Sequence, residues 1–131
     1  MTTAIICTAI LTAMVFLLGL NVSRVRGVTA KAGGSQMPTD PTSPLLIAIR
    51  AHGNATEYVP VLVVLFLLVG FRGPAVVAVP LVVGATLARL VHAYALLTAG
   101  TLAKDTPARW IGAIGTYLFG VALAVAAAFT I

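Results

Sequence analysis

The chain has 131 residues, of which 60% are hydrophobic and only 8% charged, with a formal net charge of +5 and a mean hydropathy of +1.10. One soluble core of this size cannot hide that much apolar material, so the composition excludes an ordinary soluble domain and indicates an integral membrane protein. The eight Lys and Arg residues form no basic run and are not interleaved with aromatics, which sets nucleic acid aside as a partner and leaves membrane orientation as their reading.

Ala4 to Leu20 is almost wholly apolar and closes on Asn21, Ser23, Arg24 and Arg26, which with its flanks suffices to cross a hydrocarbon core of roughly 30 Å. No Lys or Arg precedes it and no small-x-small site follows Leu20 directly, so it is read as a retained first span rather than a cleaved signal peptide. Cys7, the lone cysteine, reads as a small core residue. Gly27 to Ser43 has no apolar period and carries Gly33-Gly34-Ser35, Pro38, Asp40 and Pro41, a loop on the water side. Pro44 opens a second span that runs to about Gly70. Pro60 within it removes a backbone donor, leaves the Thr56 carbonyl without its usual partner and favours a kink just past Glu57. Phe71-Arg72-Gly73-Pro74 is a tight connection that makes the second and third spans antiparallel neighbours. The third span covers Pro74 to Thr98. After a loop from Ala99 to Pro107, Pro107-Ala108-Arg109-Trp110 opens the fourth, which continues to the C-terminus, with Trp110 as an interfacial anchor. Gly112, Thr116 and Gly120 recur every four residues, a small-residue stripe that lets another helix approach closely. No composition shift marks a second domain, so residues 1–131 are one all-α, four-helix transmembrane domain. The stripe and the charges within the spans together ask for neighbouring helices beyond one thin bundle.

The polar residues inside this apolar frame concentrate at the head of the second span. On a helix, Asn54 lies about 40° from Arg50 and Glu57 about 20° on the other side, so the three share a narrow face, while His52 points roughly the opposite way. A fork of donors, an amide and a carboxylate suit a small zwitterionic ligand, and the alternative is an ion pair that only ties helices together. Arg89 in the third span lies at a depth similar to that of Glu57, with ~14 Å and ~18 Å of helix separating them from the matching ends. An uncompensated Arg so deep costs at least ~2.5 kcal/mol, so Glu57 is its expected partner, within one subunit or between subunits. The loops after the first and third spans hold or adjoin Arg24, Arg26, Lys31, Lys104 and Arg109, against Arg72 alone on the other side. This bias places those loops in the cytoplasm, and a bacterial inner membrane is the expected location. No Walker loop, CxxC, HExxH or Gly-rich nucleotide fingerprint is present, and His52 and His92 have no other metal ligands at useful spacing, so a metal or nucleotide enzyme is not expected.

The series Arg50-Ala-His52-x-Asn54-x-x-Glu57 followed by Pro60 resembles the second-helix signature of the MAPEG family, membrane-associated proteins in eicosanoid and glutathione metabolism. The resemblance extends to the Arg24-Val-Arg26 pair, the Arg89-x-x-His92 segment and the Pro107-x-Arg109 opening. It implies a homotrimer of four-helix bundles that holds glutathione, as co-substrate, between neighbouring subunits near the cytoplasmic face. By the same resemblance Arg50, Asn54 and Glu57 bind glutathione, Arg24 and Arg89 pair with carboxylates or serve structure, and Arg109 stabilises the thiolate that attacks a lipophilic substrate. Two positions depart from the family pattern. Members resembling prostaglandin E synthase carry a Tyr seven residues after the third-helix Arg, where this chain has Leu96, with Tyr94 about 140° away. The residue after the fourth-helix Arg is often a small hydroxyl residue and is here Trp110. A protein that keeps the fold but only binds is the first rival reading, and a transporter ranks lowest because the polar residues cluster in one half of the membrane.

Overall fold

The computed structural model describes residues 1–130 and, among these, contains helices and no strand. They are α1 (Thr2–Lys31), α2 (Pro44–Arg72), α3 (Ala75–Thr98) and α4 (Pro107–Ala128). All four are long and apolar enough to cross a bilayer, and the chain is a multi-pass membrane protein. Helices are the natural solution in lipid because each satisfies its own backbone donors and acceptors where water cannot.

The helix boundaries follow local chemistry. At the start of α2 the Ser43 hydroxyl accepts from the Leu46 amide at 3.4 Å, and at α4 Thr106 accepts from the Arg109 amide at 3.3 Å. Both helices then begin with a proline, whose missing amide costs nothing in a first turn. The end of α1 differs from the sequence expectation: the helix does not close at the Arg24-Val-Arg26 pair but continues through Gly27, where a loop was expected, to Lys31. Leaving lipid does not by itself break a helix. What ends α1 is Gly33, whose own amide meets Ala30 O at 3.0 Å and whose φ of 68° turns the chain back so that Gly34 N reaches Thr29 O at 2.9 Å. This paired closure satisfies the last carbonyls and needs a residue tolerant of the left-handed region.

α1 packs along α2, and α3 packs along α4. α2 and α3 also meet each other and reach α4 and α1 respectively, whereas α1 and α4 do not touch. The helices of the second pair come closest at glycines. A Cβ on Gly112 would fall 2.6 Å from His92 Cβ and 2.7 Å from the His92 backbone, and one on Gly115 would meet Ala88 Cβ at 2.9 Å. Part of the Gly112-Thr116-Gly120 stripe is therefore used inside the chain, with Gly112 and Thr116 on α3 and Gly120 facing Leu62 of α2. α2 runs unbroken through Pro60.

The core has two parts. One gathers Leu11, Val59, Leu62, Phe66, Val82 and Leu123, and the other Leu18, Ala51, Ala55, Ala93 and Leu96. Large apolar side chains such as Phe16, Val76 and Leu118 stay exposed around the outside, as lipid-facing positions should. The 32–43 and 99–106 loops lie at the same end and are joined by the Leu102 amide donating to Pro41 O at 2.8 Å.

Candidate functional site

Where the two core regions meet, α3 places Arg89, which is 1% exposed. Its Nη2 donates to Asn54 Oδ1 at 2.7 Å and more weakly to Asn54 O at 3.4 Å. Nη1 lies 3.4 Å from Thr116 Oγ1, and that hydroxyl donates in turn to Gly112 O at 2.7 Å. The guanidinium also sits 5.1 Å from the centre of the Tyr58 ring. A neutral amide, a hydroxyl and a ring face thus surround this buried cation.

The expected Arg89–Glu57 pair does not form within the chain. Glu57 is exposed, and the ion pair found among the described residues is Arg109–Asp105. Asn54 and Tyr58, each on α2 within three residues of Glu57, turn toward α3, while Glu57 projects from the outer side of α2. Of the two pairings the sequence leaves open for Arg89 and Glu57, the one within a single chain is absent and the one between subunits is left.

Beside Asn54 opens a cavity of about 300 Å³ between α2, α3, α4 and the 99–106 loop, lined by Arg50, Asn54, His92, Leu96, Leu102 and Arg109. Arg109 enters it from the first turn of α4, a position fixed by the Thr106 cap and Pro107. Its Nη1 carries all its contacts within the chain: Lys104 O at 2.8 Å, Leu102 O at 3.4 Å and Asp105 Oδ1 at 3.4 Å. Nε and Nη2 keep their protons available. Asn54 is polarised by its partner, because a guanidinium has only donors and must take the amide oxygen, leaving the amide NH₂ as the outward group. The polar side chains on this wall therefore present mainly N–H donors, an arrangement that attracts a carboxylate or thiolate.

Of the six residues singled out in the sequence, the structure brings Arg50, Asn54 and Arg109 to one cavity and puts Arg89 directly behind Asn54. Arg24 is elsewhere. It bonds to Asn21 Oδ1 at 3.0 Å and borders a separate hollow of about 310 Å³ with Thr42, Pro44, Ala48 and Leu97. Glu57 borders neither. His52 turns to α1, where its Nε2 would lie 3.2 Å from a Cβ on Gly19.

Sequence reasoning passed over three participants. His92 was named in the Arg89-x-x-His92 segment and set aside as a metal ligand but given no role at the site, although its position three residues after Arg89 puts it on the same helix face. Thr116 was read as a packing residue. Tyr58, four residues after Asn54, forms with Tyr117 a hydroxyl pair 3.3 Å apart at the polar end of an apolar groove of about 280 Å³ between α2 and α4. Leu96, by contrast, was identified as a departure and does line the cavity.

Comparison with known proteins gives one match. A model of the MAPEG family matches residues 4–129. No curated protein and no solved structure matches the chain.

Proposed function

The chain belongs to the MAPEG family, which covers glutathione transferases and related membrane proteins, and from that premise we propose that it binds glutathione and directs its thiolate at small lipophilic electrophiles, as a transferase or peroxidase. The observation that carries this reading is the donor-lined cavity shared by Arg50, Asn54 and Arg109. Glutathione has two carboxylates for guanidinium forks, an ammonium for Glu57 and a thiol whose ionised form is the nucleophile. Arg109 stabilises that thiolate through the nitrogens its loop leaves free, and the bilayer supplies apolar substrates by partition.

Arg24 and Glu57 face away from the cavity, so for them to share one ligand with Arg50 and Arg109 a second copy of the chain must contribute. This supports a homotrimer with the ligand between subunits. The basic loops, joined by the Leu102–Pro41 bond, are assigned to the cytoplasm, where glutathione is available. A second reading, a binding protein without turnover, is favoured by Leu96 on the cavity wall and by the Asp105 carboxylate beside Arg109.

The experiment is glutathione titration of the detergent-purified protein, following affinity and ultraviolet thiolate absorbance together. Binding with a thiolate signal near neutral pH that shrinks in Arg109→Ala is the expected result. Binding without that signal, with Arg109→Ala unchanged, selects the binding-only reading, and no binding rejects both.

A further inference from the structure

We propose that His92 is the proton acceptor for the thiol, held in the required tautomer by the backbone of Arg109. The proposal rests on the glutathione reading above and assigns a role to a residue which that reading leaves unused.

His92 Nδ1 lies 3.1 Å from the carbonyl oxygen of Arg109. A carbonyl has no proton to give, so the hydrogen of this bond belongs to Nδ1, and in the neutral ring the lone pair is then on Nε2. That nitrogen makes no hydrogen bond within the chain, and it is absent from the sealed polar atoms left without a partner, Thr8 Oγ1 and Arg89 Nε. Although the residue as a whole is 8% exposed, Nε2 therefore retains accessible surface, and the space beside the ring is the cavity.

The other walls offer no competing base. Arg50 from α2 and Arg109 from α4 are donors only, Asn54 has its oxygen committed to Arg89, and Leu96 and Leu102 are apolar. The charged groups facing the ring are the guanidiniums of Arg89 and Arg109, with Arg50 across the cavity, and no carboxylate lines it. His92 Nε2 is the one side-chain atom on this wall able to receive a proton. The helix contact explains why the ring stays in place. Gly112 lets α4 close on the His92 backbone, which brings the carbonyl one turn earlier, that of Arg109, over Nδ1. One residue thus acts twice: its side chain faces the developing thiolate and its backbone sets the base.

In the step, the S–H bond breaks, its electron pair stays on sulfur and the proton passes to Nε2, giving an imidazolium that still donates from Nδ1 to Arg109 O. The sulfur then bonds to the electrophilic atom, and the departing or newly formed anion takes the proton back from Nε2. Proton bookkeeping separates this from ionisation into water. If His92 takes the proton, thiolate appears on binding with much less than one proton released to the buffer per thiolate.

The test measures thiolate absorbance and proton release together when glutathione is added to wild type and to His92→Asn, whose side-chain NH₂ can keep the bond to Arg109 O but cannot act as a base. The expected result is sub-stoichiometric release in wild type and about one proton per thiolate in His92→Asn, with affinity changed less than about threefold. Nitrogen NMR of His92 in the ligand-free protein supplies a readout independent of glutathione, and it should show Nε2 unprotonated. Full proton release in wild type, or a ligand-free ring protonated at Nε2 rather than Nδ1, overturns the assignment while leaving the glutathione reading intact. Failure of glutathione to bind at all overturns both.

Discussion

Arg89 donates to the Asn54 side-chain oxygen at 2.7 Å across the α2–α3 boundary, and this bond both compensates a buried cation and decides which end of the amide the cavity meets. Losing such a bond leaves the charge without its best partner. Asn54→Leu should cost about 1.5–3 kcal/mol. Arg89→Met in the same background should recover part of that loss, because much of the cost is the stranded guanidinium rather than the missing bond itself. Reversible unfolding in detergent checks the pair, and a double variant less stable than Asn54→Leu alone would contradict the argument.

Glycines separate packing from mere flexibility. At Gly112 a methyl group has backbone atoms of His92 in its way, so Gly112→Ala should destabilise by about 1–3 kcal/mol. At Gly53 nothing lies within 4 Å, and the gain in helix propensity from Gly53→Ala should stabilise by about 0.5–1 kcal/mol. Opposite shifts in the unfolding midpoint are the measurement.

Asp105 competes with any anion for Arg109, from 3.4 Å away. The carboxylate is well exposed, which limits the pair to roughly 0.2–1 kcal/mol. Asp105→Asn should therefore raise the thiolate fraction of bound glutathione by at most about fivefold, while Arg109→Ala lowers it. Ultraviolet titration distinguishes the two directions.

Glu57 tests the assembly. It lies outside the cavity of its own chain, so a contribution to glutathione binding requires a ligand shared with a neighbouring copy. Glu57→Ala should then weaken affinity roughly ten- to hundredfold, as loss of a charge-assisted contact does, and mass measurement in detergent should give three chains. His52→Ala should be nearly neutral for binding, since that ring packs toward Gly19. A Glu57→Ala variant with wild-type affinity would confine the ligand to one chain.

Asp40 gives a pH dependence in the loop. The Thr42 amide, and then the Thr42 hydroxyl, each donate to Asp40 Oδ1 at 2.8 Å, holding the carboxyl below its ordinary value. A depressed folded value means that the carboxylate favours the folded loop above the unfolded value of about 3.9, and this contribution is lost as pH falls through the folded value. Thr42→Ala should move the pKa only part of the way back, since the amide bond remains. Carbon NMR of the Asp40 carboxyl reads the shift.

The four spans were legible because apolar runs bounded by Pro and polar loops leave few alternatives in a bilayer. The second, third and fourth started within a residue of where Pro44, Pro74 and Pro107 placed them. The end of α1 was misplaced because hydropathy marks where lipid stops, whereas only the Gly33-Gly34 closure marks where the helix stops. Arg50 and Asn54 could be picked out by residue type and periodicity, and Arg109 by the family resemblance; the structure puts the three at one cavity. The partner of Arg89 could not, because the angle of ~60° that separates Asn54 from Glu57 around α2 decides whether a side chain meets α3 or points away, and helix rotation is set by packing at contacts such as Gly112–His92. His92 was hidden for a related reason: a histidine shows its role through what its second nitrogen touches, here a carbonyl from another helix.

The unequal lengths of the helices also bear on how the molecule sits in the bilayer. At 1.5 Å per residue the 30-residue α1 is ~45 Å long, well beyond a hydrocarbon core of roughly 30 Å, whereas the 22-residue α4, at ~33 Å, barely exceeds it. The excess of α1 is its polar end, Asn21 to Lys31, which stands out of the lipid and leaves an apolar run from Ala4 to Leu20 of ~26 Å, whereas in α4 the apolar run fills nearly the whole helix behind Arg109. α4 thus carries one cation, Arg109, at the boundary between its apolar run and the loop before it. Because Arg109 stands in its first turn, a thicker membrane draws the mouth of the cavity toward the acyl chains and a thinner one lifts it toward water. On the proposed glutathione reading, membrane thickness then weighs access from the lipid against access from water at the same few side chains.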